Sequence, residues 1–232
     1  MSQPGIPSDT AKLQNKQGNQ QSAGMSSGDL GIENTNISTA VGVNLSAHQK
    51  ILVGSVLDLF AGRPSLKKLQ LWADDASFHD PITKAEGRKQ YEPQWYGLQT
   101  AFSEIERLHH SVTSAGNPIK MDLKTRYKVK GIGVEKVIES VVNIHTTPDG
   151  KIRLVEDRWN NELPDGAFAK ASWSQVVSPR WWFHYWFAWV WYLWSLVWWT
   201  WPWLAFRNLN SVTVPAFVSV PKNEEEDRKK GN

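Results

Sequence analysis

From residue 46 to residue 159 the spacing of apolar side chains is mostly helical at first and alternating from Ile119 onward. Ser46 stands before Ile51, Leu52, Val56, Leu59 and Phe60, which fall on one side of a helix that Gly62 and Pro64 end. Ser65 starts a second, short helix that turns Leu66, Leu69 and Trp72 inward. A short strand, Ala76 to Asp80, follows and is broken by Pro81. A third helix is predicted from about Arg88 to Leu108, with Tyr91, Trp95, Leu98, Phe102 and Ile105 inward and Pro93 in its first turn or at a kink. This helix would end at His109-His110, where a cation offsets the helix dipole.

Beyond it the period is two. Ile119, Met121, Leu123, Thr125, Tyr127 and Val129 alternate with Lys120, Asp122, Lys124, Arg126, Lys128 and Lys130, which predicts a half-buried antiparallel strand. Its basic face is solvated, meets a second copy, or touches anionic lipid headgroups. Val134 to His145 is apolar on both faces, Pro148-Asp149-Gly150 makes a turn, and Ile152 to Trp159 returns. Helices followed by a long meander predict an α+β fold: a curved antiparallel sheet wrapped around the N-terminal helices, with a cavity between them.

Composition divides the chain into four parts. Residues 1–45 are rich in Gln, Ser, Gly and Asn and hold no aromatic residue, so they are expected to form a disordered tail. Nor do they carry the charged and apolar stretches of a signal peptide. Residues 46–170 form the globular domain. Residues 171–206 hold 11 of the 14 tryptophans. Within them, Trp181 to Phe206 is 26 residues without an Asp, Glu, Lys or Arg. As a helix that stretch would be about 39 Å long, enough to cross a membrane. Tryptophan on every side is nevertheless unlike a bilayer span, where Trp gathers at the interfaces. An insertion is the rival reading, because excising 172–205 joins two ordinary amphipathic stretches. Residues 207–232 are read as a charged, solvated tail, although Lys229-Lys230-Gly231-Asn232 also looks like a retrieval signal of the endoplasmic reticulum. Localisation is accordingly expected to be cytoplasmic, or membrane-associated where the Trp-rich segment is genuine.

Cysteine is absent, which excludes disulfides and thiolate chemistry. The net charge of +3 demands no nucleic-acid partner. No His/Asp/Glu spacing resembles a metal site and no Gly-rich loop a phosphate cradle, so no metal or cofactor is expected.

The run Trp72-Ala73-Asp74-Asp75-Ala76-Ser77-Phe78-His79-Asp80-Pro81 carries a further signal. With the helix before it, Gly87 entering the third helix and the meander after it, this run resembles the signature of SnoaL-like polyketide cyclases and ketosteroid isomerases. Both belong to the nuclear-transport-factor-2-like (NTF2-like) superfamily. The resemblance spans about 115 residues and implies a cone-shaped α+β barrel around one apolar pocket. It also implies that Asp80 is a proton-shuttling base. In ketosteroid isomerases two further donors complete the site, a Tyr on the first helix and a protonated Asp on a late strand. Those positions fall near Ser55 or Val56 and near Val142 here, so both donors are missing from the expected places.

The candidate catalytic residues are therefore Asp80, His79, Tyr91 and Glu139. The candidate ligand-binding residues are Phe78, Trp95, Phe102, Val142 and Trp159. Each has a plainer reading. His79 alternates with Asp80 and can face outward, Asp80 can simply fix the turn before Pro81, and Tyr91 and Trp95 can be core. Glu139 and Asp157 either line the cavity or face solvent. Two functions follow. The first is a pocket domain that binds a small hydrophobic molecule or transforms it by isomerase- or cyclase-type proton transfer. The alternative is a catalytically inert, dimeric interaction module tethered to a membrane.

Overall fold

The computed structural model describes residues 26–131, 133–159 and 212–230. Ser46 caps α1 (Ala47–Phe60) with a full capping box, its hydroxyl accepting from the Gln49 N–H while the Gln49 side chain accepts from the Ser46 N–H. The four-residue α2 (Leu66–Leu69) leads into β1 (Trp72–His79), a short β2 (Lys84–Glu86) and α3 (Arg88–Ala101). Then come β3 (Phe102–Ser114), β4 (Ile119–Val129), β5 (Glu135–Thr146) and β6 (Ile152–Trp159). The six strands form one sheet in the order β2-β1-β6-β5-β4-β3. All neighbours run antiparallel except β1 and β6, which are parallel because the whole meander separates them. Three register shifts along β3 put extra residues into that strand and help bend the sheet around α1 and α3. The fold is thus α+β, with a curved, unclosed sheet.

Two predicted boundaries move. The third helix ends at Ala101 rather than Leu108, because Phe102 onward pairs with β4 from Val129 back to Lys120. His109 and His110 consequently lie in a strand, not at a helix end. His110 is buried and accepts the Ser38 N–H at Nε2, 3.0 Å away. The second shift concerns the tail: residues 26–45 are packed on the domain, so its boundary lies at or before 26 rather than at 46. Ala40 N–H donates to Val112 O, Val112 N–H to Ser38 O, and Leu30 and Ile32 are buried.

That strap explains why α1 is buried on both sides instead of one. Val53 and Leu57 are as buried as Leu52 and Val56. Gly54 is where the strap crosses, since a Cβ there would stand 2.5 Å from Asn34 O. The crossing is fastened by Asp58, a wholly buried carboxylate. Asp58 accepts the Glu33 N–H at 2.9 Å, the Asn34 N–H at 3.2 Å and the Asn34 amide at 2.5 Å. It also pairs with Lys68 Nζ at 3.0 Å.

The core is aromatic at its centre. Trp72 stacks on Tyr91 at 5.0 Å, and Trp95 meets Phe78 at 4.5 Å, Phe60 at 5.3 Å and Trp72 at 5.7 Å. On the outer face of the sheet three basic residues of β4 are matched by glutamates. Lys124 pairs with Glu139 at 2.6 Å, Arg126 with Glu106 at 2.5 Å and Lys128 with Glu135 at 3.4 Å. Glutamates interleaved with the lysines reduce the case for an anionic lipid surface on this face. Among the described residues no helix is long and apolar enough to cross a membrane. The Trp181–Phe206 segment lies outside the described residues, as do residues 1–25.

Asp58 gives the fold its clearest test. Asp58→Ala should destabilise the domain by ~3–5 kcal/mol, because it leaves the Lys68 ammonium buried without its counter-charge. Chemical denaturation monitored by circular dichroism measures this, and Lys68→Met in the same background should recover part of the loss.

Candidate functional site

The inner face of the sheet is graded along its strands. Toward one end Ile119, Met121, Val142, Ile144, Ile152 and Val155 close the core. Toward the other the same alternation brings Thr125, Tyr127, Ser140 and Asp157 inward, under α3. Helices and aromatic side chains fill the first end and stop short of the second. A cavity of about 470 Å³ remains. Phe60, Phe78, Trp95, Leu98, Phe102 and Trp159 supply most of its apolar wall, and Asp80 and Asp157 its two carboxyls.

Asp80 follows the last residue of β1. Its Oδ1 accepts the Ile82 N–H at 2.8 Å, and its own N–H donates to Thr83 O at 3.0 Å, so the β1–β2 turn aims the carboxyl inward. Burial drives its pKa from 3.8 up to about 7, with the charge of Asp157 adding to the rise and the Ile82 hydrogen bond opposing it. Asp157 is 7% exposed. Burial raises its pKa to about 6 against the pull of Ser140 and Trp159. Its Oδ2 accepts the Trp159 indole N–H at 2.8 Å, while Oδ1 is buried without a hydrogen-bond partner. The Trp95 indole nitrogen, also at the cavity, is likewise buried and unpartnered. Tyr127 lies beside them, tilted on Phe102 at 5.0 Å, and burial holds its phenol in the neutral, donating form.

Of the nine residues singled out from sequence, Asp80, Phe78, Trp95, Phe102 and Trp159 line this cavity. The other four do not. His79 points to the opposite side of β1 from Phe78, as strand alternation requires. Tyr91 is core: its ring lies on Trp72 and its hydroxyl donates to Ala73 O at 3.1 Å. Glu139 is on the outer face, its side chain 60% exposed and paired with Lys124. Val142 is wholly buried on the inner face but beyond the floor of the cavity.

Asp157 lies on the cavity wall and not in solvent. The signal was its parity: Asp157 shares a strand face with Trp159, itself a pocket candidate. Asp157 is also the cross-strand partner of Val142, the position at which the resemblance calls for a protonated Asp. Ser55, near the expected Tyr position, is buried within α1 with its hydroxyl on Leu52 O, but Tyr127 on β4 reaches the cavity instead.

No family model matches the sequence, and no curated protein matches it. Solved structures do overlay on the domain. An NTF2-like protein of unknown function from Exiguobacterium sp. 255-15 is 16% identical, with a TM-score of 0.40 over 48% of this chain and 99% of that one. A steroid delta-isomerase from Pseudomonas aeruginosa is 18% identical, with a TM-score of 0.40 over 51% of this chain and 84% of that one. The epoxide hydrolase/cyclase-like enzyme SalBIII, of pyran ring formation in salinomycin, is 20% identical, with a TM-score of 0.40 over 49% and 90%.

The electrostatics carry a signed consequence. Both carboxyls have folded-state pKa values above those of the unfolded chain, so the folded protein binds more protons between about pH 4 and about pH 7. The stability they contribute is present below about pH 4 and is lost as pH rises through about 6 and 7. Asp157→Asn should therefore raise stability at pH 8 by ~1–3 kcal/mol and change it little at pH 4. In the same variant Asp80 should titrate lower, its charged neighbour being gone. Thermal melts at the two pH values and carbon-13 NMR of the carboxyl groups measure both effects.

Proposed function

We propose that this domain takes up a small, mostly apolar carbonyl compound and moves a proton next to that carbonyl, without a cofactor. The observation that supports it is the pair of carboxyls, half-buried Asp80 and buried Asp157, lining one apolar cavity with pKa values raised to about 7 and about 6. Between those two ionisations the pair holds a single proton. One carboxylate accepts the proton on the carbon beside the carbonyl, while the remaining carboxylic acid donates a hydrogen bond to the carbonyl oxygen. The electron pair of the broken C–H bond then moves onto that oxygen as an enolate, which the acid and the Tyr127 phenol stabilise. Returning the proton to a more distant carbon completes an isomerisation with no net change in atoms.

Burial above all, with the charge on Asp157 adding to it, raises the pKa of Asp80, and the two ionisations belong to the pair. Near neutral pH one member of the pair is the base and the other the acid, and Asp80 keeps the base role the resemblance assigns to it whenever the proton sits on Asp157. An inert interaction module needs neither carboxyl, and both lower its stability at physiological pH; the alternative leaves them unexplained.

The test follows a β,γ-unsaturated ketone by the ultraviolet absorbance of the conjugated enone it becomes. Turnover should peak between about pH 6 and about pH 7, with Asp80→Asn and Asp157→Asn each about a hundredfold or more slower. Enone formation equal in the wild type and in the double Asn variant would sink the proposal.

A further inference from the structure

The residues that follow the Trp-rich segment belong to the cavity. The 212–230 stretch was expected to be a solvated tail, yet Val214 and Val218 are part of the cavity lining. What holds them there is Asp227 on α4 (Glu224–Lys230). One of its oxygens accepts the Leu66 N–H at 2.7 Å, at the start of α2, and the other accepts the Tyr96 hydroxyl at 2.6 Å, on α3. Around that anchor the Lys230 ammonium lies 5.6 Å from the centre of the Tyr96 ring and donates to Ser219. Gln99 donates to Lys230 O at 3.2 Å. The anchor joins three separate parts of the chain and lies away from the cavity itself.

Gly97 shows how closely this C-terminal stretch approaches. It sits inside α3, where glycine is a poor helix former and alanine the best. A Cβ at this position would stand 3.2 Å from Val214 Cγ1 and 3.6 Å from Val218 Cγ2. The first distance requires the valine to give way. The absent side chain is the space in which the two valines rest, and the three residues together close one side of the cavity.

We infer that Gly97, Val214 and Val218 form the wall that sets how long a ligand the cavity admits, and that Asp227 is the positioning residue that holds the wall in place. This rests on the reading of the cavity as a site for an apolar carbonyl compound. Ligand selection in this protein then depends on a segment outside the helix-and-meander domain, separated from β6 by the whole Trp-rich stretch.

The experiment uses the full chain and a neutral fluorescent probe, N-phenyl-1-naphthylamine, displaced by 2-alkanones of rising chain length. In the wild type, affinity should climb about fourfold per methylene and then stop climbing at a definite length. Val218→Ala should move that limit to longer alkanones. Asp227→Ala should blur it while leaving the shortest alkanones bound as before, and Tyr96→Phe, which removes one of the two anchoring bonds, should do the same to a smaller extent. A ligand-independent arm compares Gly97→Ala in two backgrounds. With Asp227 present the substitution should lower the melting temperature or leave it unchanged; with Asp227→Ala it should raise it, because the new methyl no longer meets the valines. Equal rises in both backgrounds, or a chain-length limit that ignores Val218 and Asp227, would overturn the wall while leaving the binding reading intact. If no alkanone displaces the probe, the binding reading falls and the wall with it.

Discussion

A sheet bent around two helices cannot be filled equally at both ends, and the chemistry of this protein depends on where the filling stops. The plug is aromatic: Trp72, Tyr91, Trp95, Phe60 and Phe78 interlock at centroid distances of 4.5–6.3 Å. These rings are large, and the α3 residues beyond Trp95 that line the cavity include the small Gly97 and Ala101. The space beyond Trp95 and Phe78 therefore stays open. Its walls are apolar, so water there solvates a carboxylate poorly, and the pKa values of Asp80 and Asp157 follow from that one fact. Enlarging the plug would remove the cavity, while shrinking it would admit water and return the carboxyls toward ordinary acidity.

Much of this was legible in the chain because strands encode their faces by parity. Phe78 with Asp80, and Asp157 with Trp159, are pairs two residues apart, and each pair reaches the cavity together. The same rule explains the errors. Glu139 and Val142 are three residues apart on one strand and cannot both face inward. His79 stands between Phe78 and Asp80 and must face away from them. Counting along β5 finds Val142, whereas the carboxyl that lines the cavity is on its cross-strand partner Asp157. A residue's neighbour across a sheet depends on register, which one strand read alone does not contain.

The two ends of the domain were illegible for a different reason. Residues 26–45 and 212–230 have no long periodic pattern, and each is held by a few specific contacts. A strap that depends on Asn34 reaching Asp58, or on Asp227 reaching Leu66 and Tyr96, leaves a trace only in its partners. Such traces exist: glycines at 54 and 97 in the middle of helices, and an aspartate at 58 where α1 would otherwise be apolar. The helix that ended early is a related case. Leu98, Phe102 and Ile105 keep helical spacing, but Phe102 onward gains a full ladder of hydrogen bonds to β4, and tertiary pairing outweighs a weak local preference.

The buried aspartates also separate scaffold from site. Asp58 and Asp157 are both removed from water, and both lie next to well-packed apolar residues. Asp58 is surrounded by donors: two backbone N–H groups, an amide and an ammonium share its two oxygens, and its business is to hold the strap on α1. Asp157 has fewer partners: the Trp159 indole N–H donates to one oxygen, and the Ser140 hydroxyl is the other group that favours its charge. Burying a carboxylate with so few donors is costly. Asp157 lines the same cavity as Asp80, and burial raises the pKa of both. A charge fully matched within the protein stabilises it, whereas one matched only in part, as at Asp157, costs stability wherever it is ionised.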